Sequence, residues 1–214
     1  MEKTVKILYE DKNLVFCIKP IGVISQSDAS GRDNMVDRLR AITGSEIFPL
    51  HRLDVDVGGV MVFAKNKTAA AKMSAVVADH NAFIKEYYAV VKGNIADGGV
   101  LEDLLYHDKT RNKTYVVKKE RNGVKKAKLE YFLKKKYGEY SLLKIRLYTG
   151  RTHQIRVQLA SRGYSLLGDR KYGGEASDGI YLFSHKISFV SPFGDGELTF
   201  SAEPEWDTLL SDKE

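Results

Sequence analysis

At 214 residues with 43% hydrophobic content, the chain can bury a substantial core, and its size suits one large domain or two small ones. No stretch is apolar for long enough to cross a bilayer as a helix, and Met1-Glu2-Lys3-Thr4-Val5-Lys6 carries charges where a signal peptide needs its apolar region. A net charge of +6, from 34 Lys+Arg against 28 Asp+Glu, favours a polyanionic partner without requiring one. We therefore expect a soluble, cytoplasmic protein with no membrane partner, folded as a single domain over residues 1–214. The one cysteine, Cys17, excludes an internal disulfide and lies in the apolar run Leu14-Val15-Phe16-Cys17-Ile18, where a buried, inert thiol is expected.

Val5 to Tyr9 and Asn13 to Ile18, around the polar break Glu10-Asp11-Lys12, predict a short hairpin. Asn34 to Ile42 carries apolar residues at helical spacing, with Asn34 as N-cap and Gly44 as stop. Val60-Met61-Val62-Phe63-Ala64 reads as a buried strand, after which Asn66 caps a helix with Met73, Val76 and Val77 on one face. Phe83 to Lys92 alternates as a strand, and Leu129 to Lys135 with Tyr140 to Tyr148 form a pair joined at Tyr137-Gly138-Glu139. Past Gly150 the pattern turns helical, with Thr152 as cap, Ile155 and Leu159 on one face, and Gly163 as stop. Ile180 to Val190 and Glu197 to Ala202 close the chain as strands around Pro192-Phe193-Gly194. This order fits an α+β fold on a mixed, mainly antiparallel sheet flanked by helices. Four prolines and no low-complexity linker leave no internal boundary marked.

Between these elements lies a basic stretch. Lys118, Lys119, Arg121, Lys125, Lys126, Lys128 and Lys134 to Lys136 crowd a segment with only Glu120 and Glu130 to offset them. It is either a solvated hairpin or a surface for phosphates.

Three segments can carry chemistry. His51-Arg52-Leu53-Asp54-Val55-Asp56-Val57-Gly58-Gly59 packs titratable groups between apolar neighbours, where charge is costly unless paired or used. In an extended backbone Arg52, Asp54 and Asp56 share one face and His51 and Leu53 the other. Asp54 is then a structural ion-pair partner, a metal ligand with His51 and Asp56, or a lone nucleophile or base kept ionised by a nearby cation. Gly150-Arg151-Thr152-His153-Gln154-Ile155-Arg156 lies at a strand-to-helix transition and can supply that cation; otherwise it is a helix start with solvent-facing arginines. Lys85-Glu86-Tyr87-Tyr88-Ala89 puts tyrosines on a strand, either as core or as a stacking surface for an extruded base.

These segments, in this order, resemble the RluA-type RNA pseudouridine synthases. The family's His-Arg-Leu-Asp run, Gly-containing turn and apolar strand ending in Ala-Lys are matched by His51 to Asp54, Gly59 and Ala64-Lys65. Its Lys-x-Tyr-x-Ala pattern ending in glycine is matched by Lys85, Tyr87, Ala89 and Gly93, and its Gly-Arg-Thr-His-Gln-Ile-Arg run stands at Gly150 to Arg156. Gly168-Asp169-Arg170-Lys171-Tyr172-Gly173 is similar to its Gly-Asp-x-x-Tyr-Gly segment. Asp11, Lys19-Pro20-Ile21-Gly22 and Ser184-His185 extend the likeness over nearly the whole chain. Val57-Gly58 departs from the family's usual Thr-Ser, and no room is left before Val5 for the S4-like RNA-binding module of many relatives.

The resemblance implies the family's catalytic fold and isomerisation of a uridine in ribosomal or transfer RNA, without metal or cofactor, by a monomer. It implies that Asp54 is the catalytic aspartate, that Tyr87 stacks on the flipped base with Tyr88 as structural partner, and that Arg156 pairs with Asp54. Arg52 is expected to occupy the space the uridine vacates. Arg151 and His153 are expected to contact RNA or brace the pocket, and Lys125 and Lys126 to hold phosphates. The rival readings are a metal-dependent phosphoesterase on His51, Asp54 and Asp56, and an RNA-binding protein without turnover.

Overall fold

A computed structural model describes residues 4–29 and 31–206; the charged start at Met1-Glu2-Lys3 lies outside them. The chain divides into two compact units: residues up to Lys85 with Phe183–Pro204, and Glu86–Leu182 with the residues from Glu205. Among the described residues no helix is long and apolar enough to cross a membrane.

The first unit opens with the expected hairpin, β1 (Lys6–Glu10) and β2 (Leu14–Lys19). Its turn is fixed by the Asp11 carboxylate, which accepts the amides of Asn13 and Leu14 at 2.7 and 2.6 Å. Helix α1 (Met35–Thr43) begins where the Asn34 side chain accepts the Asp37 amide and ends at Gly44, as its caps predict. A short β3 (Phe48–Pro49) and the chemistry-bearing loop lead to β4 (Gly58–Ala64), every residue of which is buried. Helix α2 (Lys67–Ala78) follows, capped by the Asn66 side chain on the Ala69 amide. The closing strands are β10 (Leu182–Val190) and β11 (Glu197–Ser201).

Neighbours run β1-β2-β4-β10, with β11 on β10 and β3 on β4. Pairing is antiparallel except between β4 and β10, so the sheet is mixed, as expected. Phe16, Val60, Val62, Met73, Phe83 and Phe189 fill the core, each side chain removed from water contributing roughly 1.5–3 kcal/mol. The parallel pairing places Gly59 opposite Ser184, with φ of 121°. A Cβ there would stand 2.6 Å from the Ser184 amide nitrogen and closer still to its carbonyl oxygen, so only glycine fits.

In the second unit β5 (Ile84–Lys92), which begins in the first, is followed by β6 (Gly98–Asp108), β7 (Lys113–Val117), β8 (Val124–Tyr137) and β9 (Tyr140–Leu147), in the order β5-β9-β8-β6-β7. Gly138-Glu139 makes the tight β8–β9 turn as expected. Strands β6 and β7 and the first third of β8 were not expected. Val124 to Lys128 holds three lysines, poor strand formers, and becomes a strand because β6 pairs with it from Gly98↔Phe132 to Tyr106↔Val124. Ala127, Leu129 and Tyr131 point inward, whereas Lys125, Lys126 and Lys128 are exposed. Helix α3 (Gln154–Ala160) packs Val157 against Leu105 and Ala127.

Candidate active site

The Asp54 loop is held by its backbone. The Ser25 hydroxyl donates to the Leu53 carbonyl at 2.8 Å and accepts the Leu53 amide at 2.9 Å. The Gly22 amide donates to the Val55 carbonyl, and the Val57 amide closes a turn onto the Asp54 carbonyl at 3.1 Å. Lys19, wholly buried, gives its ammonium to the carbonyls of Pro20, Val23 and Val55 at 3.0, 2.6 and 3.3 Å. Three carbonyl dipoles thus meet a buried cation, and the loop gains an anchor charge-assisted bonds make strong. Leu53 turns inward, Arg52 and Asp56 are exposed, and Asp54 is half-buried.

His51 turns the other way. Its Nε2 accepts the Val62 amide of β4 at 3.2 Å, so the ring proton sits on Nδ1, which is buried without a hydrogen-bond partner among the described residues. Burial, with a further push from the Lys85 charge, lowers its pKa to about 3, so the ring is neutral. Because Nε2 is already occupied, His51 is a strut for β4, and the metal reading that joined it to Asp54 and Asp56 loses its nitrogen ligand.

Alternation along β5 distinguishes the two tyrosines: Lys85, Tyr87 and Ala89 are buried, whereas Glu86 and Tyr88 are half-buried. Tyr87 is 5% exposed. Burial also lowers the Lys85 pKa.

The Gly150–Arg156 segment brings three of the expected residues into one turn and helix. Gln154 organises it: its Oε1 accepts the Arg151 amide and the Thr149 hydroxyl, and its Nε2 donates to the Lys128 carbonyl. Thr152 was the expected cap; the capping position is instead His153, in the left-handed conformation at φ 54° and without a side-chain cap bond. With Gln154 already binding the turn from within, a threonine hydroxyl is not needed there. Arg151 donates through Nε to the Lys126 carbonyl at 3.0 Å, so it braces β8 and stands beside one of the two expected phosphate-binding lysines.

Arg156 is 2% exposed and gripped by Asp169, Nε to Oδ2 at 2.7 Å and Nη2 to Oδ1 at 2.8 Å. Its guanidinium carbon also lies 5.3 Å from the centroid of the Tyr172 ring. The likeness of the Gly168-to-Gly173 segment to a family pattern gives Asp169 and Tyr172 no role in advance. No pattern in the sequence signals Ser25 or the anchoring role of Lys19.

The fold so described is that of a pseudouridylate synthase domain. Human RNA Pseudouridylate Synthase Domain Containing 4 superposes with a TM-score of 0.79 over 97% of this chain and 92% of that one, at 21% identity. The sequence matches the RNA pseudouridylate synthase family over residues 13–161. The chain belongs to this family. It is 36% identical over 181 residues to "Ribosomal large subunit pseudouridine synthase D" of Borreliella burgdorferi, covering 79% of this chain and 55% of that protein. It is 29% identical to "tRNA pseudouridine synthase C" of Vibrio parahaemolyticus, covering 96% and 94%. The chain spans little more than half the length of the first curated relatives it matches, at 55% and 57%.

Proposed function

We propose that this protein converts a specific uridine to pseudouridine in ribosomal or transfer RNA, with Asp54 as the catalytic carboxylate. The observation that carries the reading is the loop of Asp54, which the family's His-Arg-Leu-Asp run occupies and which Ser25, Gly22 and Lys19 pin through the backbone on both sides of that residue. A carboxylate so placed is preorganised for one job, whether attack or proton transfer.

The reaction breaks the N1–C1′ bond and makes a C5–C1′ bond; C5 gives up its proton, N1 gains one, and no atoms are lost. A stacked base is out of reach, so the uridine must be flipped out at a cost of a few kcal/mol that protein contacts offset. We assign Tyr87 to stacking on the base, Arg156 to holding the Asp54 carboxylate, and Arg52 to filling the vacated space. Arg151 and His153 serve the RNA or the pocket wall, and Lys125 and Lys126 its phosphates. The protein acts as a soluble cytoplasmic monomer, without metal or cofactor.

Pseudouridine mapping of ribosomal and transfer RNA, from cells with and without the protein, tests this. One site should vanish and return with the wild type but not with Asp54→Asn, whose RNA binding should persist. An unchanged map, or turnover by Asp54→Asn, would overturn the reading.

A further inference from the structure

The His153 ring is held from behind by a chain of hydrogen bonds whose direction can be worked out. Its Nδ1 lies 2.9 Å from the Tyr172 hydroxyl oxygen. That oxygen already accepts the Thr114 amide at 2.8 Å, and a backbone N–H can only donate. Burial raises the Tyr172 pKa, so the phenol keeps its proton. The Thr114 hydroxyl proton is committed to the Thr152 carbonyl at 2.8 Å. Among the described residues, the groups in hydrogen-bond geometry with the Tyr172 hydroxyl are the Thr114 amide, which donates, and Nδ1 of His153, which therefore accepts the phenol proton, so the ring proton sits on Nε2.

The same tyrosine backs a second expected site residue. Lys113 and Arg156 each place their charge 5.3 Å from the Tyr172 ring centroid, within the range of a cation–π contact. His153 also occupies a left-handed backbone conformation that residues other than glycine seldom adopt, which neighbours must stabilise.

We propose that Tyr172 is a positioning residue of the site: its hydroxyl fixes His153 as the Nε2–H tautomer while its ring steadies Arg156. The effect on turnover rests on the proposed activity; the tautomer does not.

Nitrogen-15 NMR of histidine-labelled protein tests it, with His153 assigned through His153→Gln. The wild type should show His153 protonated at Nε2, and Tyr172→Phe, which keeps the ring and loses the hydroxyl, should show a mixture of tautomers in a spectrum otherwise unchanged. A wild-type ring protonated at Nδ1, or a tautomer indifferent to Tyr172→Phe, overturns the proposal. Pseudouridine formation is measured separately, and kcat/KM of Tyr172→Phe should fall about tenfold, the scale of one hydrogen bond. An altered tautomer with an unaltered rate would overturn the positioning role. A wild type that makes no pseudouridine on any ribosomal or transfer RNA would sink the proposed activity and leave the tautomer result standing.

Discussion

Arg156 and Asp169 form a two-pronged ion pair closed off from solvent, Nε to Oδ2 at 2.7 Å and Nη2 to Oδ1 at 2.8 Å, with the two residues 2% and 0% exposed. Thirteen positions separate them in the sequence, and the pair ties helix α3 to the segment before Gly173-Gly174. A guanidinium gripped along one edge is fixed in plane and direction, which suits a residue expected to aim a carboxylate elsewhere.

Asp169→Asn keeps the shape of this pair and removes its negative charge. With so little solvent to compensate, the loss should reach about 3–5 kcal/mol, read from urea denaturation. A loss under about 1 kcal/mol would show that the pair does not hold the segment.

The buried His51 gives stability a pH dependence. Its folded pKa of about 3 lies below the ordinary value of 6.5, so between these values the unfolded chain binds the proton more readily. The contribution is fully present above about pH 6.5 and is lost as the pH falls toward 3. His51→Gln, which keeps an acceptor for the Val62 amide and does not titrate, should flatten the unfolding free energy across that window by a few kcal/mol. Parallel curves for the two proteins would refute this.

Gly59 and Gly58 should respond differently to alanine. At Gly59 the new Cβ meets the Ser184 backbone and φ is 121°, so Gly59→Ala should lose about 3 kcal/mol or more, or fail to fold. At Gly58 the nearest atoms, Ile21 Cγ1 and the Lys19 carbonyl, stand at 3.2 and 3.3 Å, and a shift of a few tenths of an ångström relieves them. Gly58→Ala should cost about 1 kcal/mol. Equal melting temperatures for the two variants would contradict the steric account.

Ser25 lies outside the sequence motifs, yet its hydroxyl satisfies both backbone groups of Leu53, the residue before Asp54. Ser25→Ala should destabilise by about 1–3 kcal/mol. It should also lower kcat more than it raises KM, because the carboxylate loses its aim. A pure KM effect would assign Ser25 to binding.

Lys125 and Lys126 are exposed on β8 and stand as phosphate contacts in the proposed function. Neutralising both to Gln should reduce the slope of log binding constant against log salt by about 1.5. An unchanged slope would assign them to the solvated face of a strand.

Local chemistry made much of this protein readable in advance. Asn34 and Gly44 bound α1, and Asn66 starts α2, because a cap is a contact between residues three or four apart. Val60 to Ala64 reads as a buried strand because a continuous apolar run of that length has few other uses. The family pattern singled out Tyr87 from Tyr88, and the structure puts Tyr87 on the buried side of β5 and leaves Tyr88 half-buried. Other features belong to the tertiary structure. Lysine-rich residues 124–128 become a strand through pairing with β6, and His153 rather than Thr152 caps α3 because Gln154 binds the turn internally. Asp169 for Arg156, Ser25 for Leu53 and Tyr172 for His153 are partners 13, 28 and 19 positions away. A hydrogen bond or ion pair at that range leaves no periodicity in the sequence, since it is chosen by which side chains and backbone groups the fold brings within hydrogen-bonding reach of each other.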